Sequence, residues 1–505
     1  MIFINEHEVV LDAEGRLESW TSFDHVIRLA MDFIKNCPVD AANGLPWHLQ
    51  YSCFWTDPVR PTDWPDNPAG KFAWAVTTLL KYYPYSGDTT HIGIVRGMLD
   101  RLWQYRTPSH WEWPDVPYAS AHPGTGVYFG ARADGEYVTE PDKVAQVAKA
   151  YLDFYELTGE QSYLEIGARC AEVLAAKVRP GDESHSPWPF RVDVRDGHVV
   201  EEYTAHWVPA VELFDELIRL NHGSYGQLRN EIWAWLEAYP LRNSLWKGHF
   251  EDIRLDPANA NRDQLSPMET ARYVLRHANQ FPDWQERVRG LLEWVRAALG
   301  GQPFFSAIPI HEQKFCYFPM GSHTARFASV AARFAALGGD RAYAEIARRS
   351  FNWASYMANP DGTVTVGVDR PDYYNQCWFT DGYFDYVPHF IDGMAAAPEL
   401  APASTDHMLE STSVVQEISY QPCEISYRTF DSTGRQKLRL TFPPYEILAD
   451  GRPLDPQDST TGGRAWEFDP ALNVLIVRPG SRHVTIAGRQ GSAAHVARKE
   501  AAIAG

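Results

Sequence analysis

The chain has 505 residues, 45% hydrophobic, with 18 Trp and 25 Tyr, which is enough to build one large core and a smaller second one. Its formal charge of -19 argues against broad attraction to nucleic acid or anionic lipid. No uninterrupted apolar stretch is long enough to span a bilayer, so no membrane partner is expected. The opening Met1–Glu6 carries neither a basic n-region nor an apolar h-region, so no signal peptide is expected. Cysteines 37, 53, 170, 316, 377 and 423 are scattered without a CxxC pair, and read as reduced thiols of a cytoplasmic protein.

In chain order, a short strand-like run at Glu8–Leu11 precedes a first helix at about Ser22–Asn36. Five helical pairs follow, each broken by a short polar turn. The turns are Tyr85-Ser86-Gly87-Asp88, Leu157-Thr158-Gly159-Glu160, Asn221-His222-Gly223-Ser224, Phe281-Pro282-Asp283 and Leu337-Gly338-Gly339-Asp340. They recur roughly 56 to 72 residues apart. The pairs are expected at 68–84 with 88–104, 140–158 with 160–178, 202–221 with 225–239, 265–280 with 283–299, and 322–338 with 340–357. A last helix at about Asp381–Met394 is left unpaired, and if it meets the first the array closes into a ring of six hairpins.

An Ala/Pro linker at Ala395–Pro402 ends the helical region. Alternating β-branched runs follow at Val414–Tyr420, Glu424–Phe430, Lys437–Phe442, Tyr445–Ala449, Val474–Val477 and His483–Ile486. The domain reading is therefore a helical domain over 1–400, a small antiparallel β-sandwich-like domain over 411–488, and a disordered tail over 489–505.

Turns within hairpins are short, whereas the connections between hairpins are long, at about 37–67, 105–139, 179–201, 240–264, 300–321 and 358–380. Long loops inside a compact domain are usually functional. In alternating helices all six fall on one face, and each delivers the N-terminus of an inner helix. Aromatic side chains such as Trp55, Trp64, Trp246, Trp378 and Tyr383 are expected to stack on sugar rings, with His206, His249, Tyr317, His323 and Arg326 binding polar groups. Acids at these entrances, Asp142, Asp263, Glu269, Glu312, Asp381 and Asp385 among them, serve as helix caps or as reacting groups. Glu251 lies beside Trp246 and His249 in a loop of mixed charge. Asp381 and Asp385 are expected one turn apart on one face of the last helix.

There is no Rossmann GxGxxG after a strand, no P-loop, no HExxH and no GxSxG elbow, so no cofactor and no catalytic metal are expected. The repeated Gly-Asp/Glu turns, aromatic inter-hairpin loops and trailing β-domain resemble the six-hairpin, (α/α)6-toroid carbohydrate-active enzymes. That group includes glycoside hydrolases, unsaturated uronyl hydrolases, polysaccharide lyases and sugar epimerases. The resemblance implies a carbohydrate substrate and transfers no catalytic role to any residue.

The leading expectation is a glycoside hydrolase acting on an oligosaccharide through paired carboxyls, with Asp142 first, then Glu312 and Asp381, and Glu251 in reserve. The runner-up is a polysaccharide lyase or uronate-acting enzyme, with Tyr317 or His323 as base and Arg326 neutralising the uronate. A non-catalytic glycan-binding protein and a ring that binds a protein partner are the alternatives outside catalysis.

Overall fold

The computed structural model describes residues 1–50, 53–56, 59–61, 67–122, 125–130, 135–248, 262–314, 318–368, 376–378, 380–456 and 464–489, with backbone alone at 53–56, 59–61, 376–378 and 380–381. Glu251, His249, Trp64 and Tyr317 lie outside the described residues, as do the side chains of Trp55, Trp378 and Asp381. Contacts divide the chain into two compact units: Met1–Thr78, Ile92–Tyr155 and Glu160–Phe390 form one, and Leu79–His91, Glu156–Gly159 and Ile391–Gly505 the other.

Twelve α-helices are found among the described residues: α1 (Phe23–Lys35), α2 (Pro68–Ser86), α3 (Thr90–Gln104), α4 (Pro141–Thr158), α5 (Gln161–Lys177), α6 (Val208–Arg219), α7 (Gly226–Leu236), α8 (Leu265–Arg276), α9 (Trp284–Leu299), α10 (Gly321–Ala336), α11 (Ala342–Ser355) and α12 (Val387–Ala396). Gly87, Gly159 and Gly338 end α2, α4 and α10 at φ of +75°, +77° and +95°, a conformation that carries little strain only without a Cβ. The chain can therefore reverse there and start the second helix of each pair.

Two helices start later than their acids suggest. Val199–Glu201 pairs as a strand with Arg191–Asp193, so Glu201 and Glu202 precede α6, whose start is set by Pro209 in the first turn. A π-helical turn over Thr380–Phe384 precedes α12. The expected acid pair Asp381 and Asp385 falls at this turn rather than in α12, and the Asp381 side chain lies outside the described residues.

The first and last helices meet within the first unit. Phe23 of α1 packs edge-on against Phe390 of α12 at 5.1 Å between ring centroids and against Phe351 of α11 at 5.6 Å. Phe33 stacks on Tyr383 at 5.2 Å. The backbone of Cys53–Thr56 pairs antiparallel with that of Gln376–Trp378, joining the first long connection to the last. The N-terminal strands are tied to α11 as well: buried Arg349 reaches Asp12, Glu18, Glu345 and the Leu17 carbonyl. Expected strand Glu8–Leu11 is split into two hairpins, Phe3–Ile4 with His7–Glu8 and Val10–Leu11 with Leu17–Glu18.

Among the described residues of the second unit nine strands form two antiparallel sheets, numbered β1 to β9: β1 (His407–Ser411), β2 (Val415–Gln421), β3 (Glu424–Thr429), β4 (Gln436–Arg439), β5 (Pro444–Ala449), β6 (Arg452–Pro453), β7 (Ala465–Asp469), β8 (Val474–Arg478) and β9 (His483–Gly488). One sheet has the order β1-β4-β8-β7 and the other β2-β3-β9-β5-β6. Met408, Leu438, Leu475 and Val477 from the first sheet share a core with Ile425, Tyr427, Ile447, Val484 and Ile486 from the second, which makes the pair a sandwich. Residues of the first two hairpin turns belong to this unit: His407 stacks on Tyr85 at 4.0 Å, Tyr420 donates its hydroxyl to the Pro84 carbonyl, and Gln416 donates to the Glu156 carbonyl. No described helix is long and apolar enough to cross a membrane.

Candidate functional site

Buried polar side chains collect at the N-terminal ends of α4, α8 and α10, in the first unit. At α4, Val138–Thr139 pairs with Arg191–Asp193, which sets Arg191 beside Glu140. Arg191 donates to Glu140 Oε1 at 3.0 Å and to Glu201 Oε2 at 2.8 Å. Pro141 opens the helix at a position where its missing N–H costs nothing. Lys143 then turns back, its Nζ lying 3.1 Å from Glu140 Oε2 and 3.0 Å from Asp142 Oδ2. The Phe190 ring lies 4.8 Å from Lys143 Nζ and 4.5 Å from the Arg191 guanidinium carbon. All four charged groups are buried except Glu201 at the edge: Glu140, Asp142, Lys143 and Arg191 expose 2% or less. Charges so dry persist only because each has an opposite partner.

At α8, Asp263 caps the first turn. Its Oδ1 accepts the Ser266 amide at 2.8 Å, and its own amide donates to the Trp246 carbonyl at 3.3 Å. The carboxyl is 1% exposed, and its Oδ2 has no hydrogen-bond partner. Burial pushes the Asp263 pKa above the ordinary carboxylate value; Ser266 and the Lys143 ammonium pull it down, and the Asp142 charge adds to the rise. Asp263 thus lies within electrostatic reach of both Asp142 and Lys143, and unlike Asp142 it has no ion pair among the described residues.

The entrances of α8 and α10 are stitched together. The Gln264 amide N–H donates to the Glu312 carbonyl at 3.2 Å, and the Lys314 amide donates to the Arg262 carbonyl at 2.8 Å. Across this bridge the Gln264 side-chain amide donates to His323 Nδ1, and His323 Nε2 donates to Glu312 Oε1 at 3.3 Å. One turn deeper, Arg326 donates to Glu269 Oε1 at 2.5 Å and to Asp385, with its guanidinium carbon 4.4 Å from the centre of the Trp74 ring. A further turn in, Arg272 donates to Ser329 Oγ at 3.0 Å and to His389 Nδ1 at 3.2 Å, and His389 Nε2 donates to Asp385 Oδ1 at 3.1 Å. Gln264, Glu269 and Arg272 on α8 thus face His323, Arg326 and Ser329 on α10, a three-rung polar ladder between neighbouring helices. Burial works to raise the Glu269 pKa, but Arg272 and Arg326 outweigh it and hold the carboxyl below its usual value.

No protein-family model matches the chain, and no curated protein matches it. Solved structures do. The cellobiose 2-epimerase of Spirochaeta thermophila superposes with a TM-score of 0.55 at 11% identity, covering 75% of this chain and 97% of that one. A sugar epimerase from a ruminal bacterium gives 0.53 at 11% identity, with coverage of 74% and 98%. A family 76 glycoside hydrolase from a bovine Bacteroides thetaiotaomicron strain gives 0.50 at 11% identity, covering 75% and 78%. The chain shares its fold with (α/α)6-toroid carbohydrate-active enzymes. At this identity the likeness is one of fold.

Several residues expected to act together are brought together. Asp142 sits in the α4 cluster; Glu312, His323 and Arg326 share the α8–α10 ladder. His206 is buried just before α6, its amide donating to Thr204 Oγ1 at 3.1 Å. Others are core groups. Trp246 is 1% exposed and meets Trp294 edge-on, and Tyr383 is fully buried, donating its hydroxyl to the Gly362 carbonyl at 3.2 Å. Neither ring offers an open face for a sugar, so the stacking expected of them is corrected to a packing role. Arg326, expected to meet a uronate, has both terminal nitrogens committed to Glu269 and Asp385. Asp263 was one acid among many at the helix entrances; its unpartnered oxygen and its nearness to Asp142 are tertiary facts that no local pattern announces.

Proposed function

We propose that this chain is a carbohydrate-processing enzyme, and within that class a glycoside hydrolase using Asp263 and Asp142 as its acid–base pair. The observation that carries the reading is the contrast between two neighbouring buried carboxyls. One, Asp142, is ion-paired to Lys143 at 3.0 Å; the other, Asp263, is pushed toward its protonated form with one oxygen unpartnered. A buried carboxyl held toward its protonated form suits the acid role, and a neighbouring carboxyl kept in an ion pair suits the base role. Asp263 would protonate the leaving glycosidic oxygen, while Asp142 would take the proton of a water attacking the anomeric carbon, so that one C–O bond breaks as another forms. The proposal includes a closed ring of six hairpins over residues 1–400 as the catalytic domain, with 411–488 as an accessory domain. It also includes a cytoplasmic setting, in keeping with the free thiols of Cys37, Cys170 and Cys423.

Epimerisation or isomerisation of a sugar is the second reading. It is favoured by the two imidazole–carboxylate pairs, His323 with Glu312 and His389 with Asp385, which suit proton transfer at a sugar carbon. It stands second because both ring nitrogens of each imidazole are already hydrogen-bonded. Elimination has weaker support, since Arg326 is neutralised by two carboxylates. Product analysis by NMR separates the three. A new reducing end with no ultraviolet-absorbing double bond is expected. An inverted or shifted stereocentre on an intact glycoside would install the imidazole chemistry instead.

A further inference from the structure

The entrance of α8 carries two buried polar ends that no described residue satisfies. Asp263 Oδ2 is one; the other belongs to Gln264, whose amide is engaged at one end by His323 while the opposite end has no hydrogen-bond partner. Asp263 is 1% exposed and Gln264 is fully buried. Buried polar atoms without partners are costly, so two at adjacent positions are a standing cost that a bound group can remove. Sugar hydroxyls, which both donate and accept, satisfy either atom.

The charge around this turn narrows the ligand further. Each buried cation nearby is already shared between two carboxylates: Lys143 with Glu140 and Asp142, Arg191 with Glu140 and Glu201, and Arg326 with Glu269 and Asp385. Asp263 has no ion pair at all among the described residues. A uronate carboxylate entering here would meet negative charge, and each buried cation named is already shared.

We infer that the sugar seated at the N-terminus of α8 is neutral, with its glycosidic oxygen held by Asp263 Oδ2 and a hydroxyl on the adjacent carbon held by the unengaged end of the Gln264 amide. This rests on reading the Asp142–Asp263 cluster as the reaction centre. Gln264 then acts in substrate specificity: it selects for a hydroxyl at the position next to the one that Asp263 holds.

Binding tests this independently of turnover. The neutral disaccharides of glucose, mannose and galactose, and the same disaccharides with a uronic acid in place of one sugar, are titrated into the full-length protein and followed by ligand-observed NMR. At least one neutral disaccharide is expected to bind, at least tenfold more tightly than its uronic acid counterpart. Gln264→Met, which keeps the length of the side chain and removes its hydrogen bonds, is expected to weaken that neutral sugar about tenfold, the scale of one hydrogen bond. A uronic acid that binds as well as its neutral partner overturns the inference on the unaltered protein, so the outcome does not depend on the variant folding. Unchanged affinity in a folded Gln264→Met protein overturns the assignment of that residue. Neutral selectivity without any hydrolysis leaves this inference standing and overturns the hydrolase reading; binding of no saccharide overturns both.

Discussion

Asp263→Asn is the sharpest perturbation of the proposed chemistry, because the amide keeps the shape and the cap while losing the transferable proton. Asn is as good an N-cap as Asp, so the bond from the Ser266 amide at 2.8 Å survives and the helix start loses only tenths of a kcal/mol, roughly. A general acid contributes about 10²–10⁴-fold, or roughly 3–5 kcal/mol of barrier. That loss should fall on glycosides whose leaving alcohol must be protonated. It should be far smaller on nitrophenyl glycosides, whose leaving group departs as a stable anion. Stability moves the other way. The folded pKa of Asp263 lies above its unfolded value, so its contribution is complete below the unfolded value and is lost as pH rises through the folded one. Thermal melting across that range should show the wild type losing stability relative to Asp263→Asn with rising pH. Equal loss of activity on both kinds of leaving group, or more than a tenth of the activity retained on the unactivated glycoside, would refute the role.

Asp142→Asn should abolish turnover on both kinds of leaving group while calorimetry finds saccharide binding intact, since a base is needed whatever departs. Arg326→Met should destabilise the helical unit by about 3–5 kcal/mol in urea unfolding, because Glu269 and Asp385 would be left buried without their shared cation. Glu269 has a folded pKa below its unfolded value, so its stabilisation is present above the unfolded value and is lost as pH falls through the folded one. Glu269→Gln should therefore flatten the acid side of the melting-temperature profile, and an unchanged slope would return the acid sensitivity to other carboxylates.

The helices were legible because apolar periodicity and a turn glycine mark a hairpin locally. Val144, Ala145, Val147, Ala148, Tyr151 and Leu152 of α4 are all buried, as their spacing requires. Two starts were misread where an acid-rich stretch resembled a helix entrance: Glu201 is held by strand pairing and Asp381 by a π-helical turn. In the second unit three strands were missed, among them β1 and β7, whose His407–Ser411 and Ala465–Asp469 mix charged residues into short runs and gain strand identity only from their neighbours. The site was legible as a place before it was legible as a mechanism. Asp142, His323 and Arg326 sit near helix N-termini, whereas His323 and Arg326 find Gln264 and Glu269 at the neighbouring helix α8. Aromatic content misled in the opposite direction, because Trp246 and Tyr383 fill the cores of the loops that carry them.

Asp142 and Asp263 both lie at helix entrances, yet the chain treats them differently. Asp142 has Lys143 Nζ at 3.0 Å from its Oδ2, whereas Asp263 is buried with no ion pair among the described residues. Burial pushes the Asp263 pKa up, and the same Lys143 ammonium works against that rise. Lys143→Met should consequently move the alkaline limb of the pH–rate profile, set by Asp263 as acid, toward higher pH. Glu140 keeps Arg191 as a partner in that variant, so the helix entrance retains one of its ion pairs and the profile can be measured. An alkaline limb that stays in place while the protein remains folded would mean that Asp263 is not the acid of the reaction, and that role would have to be sought at another helix entrance.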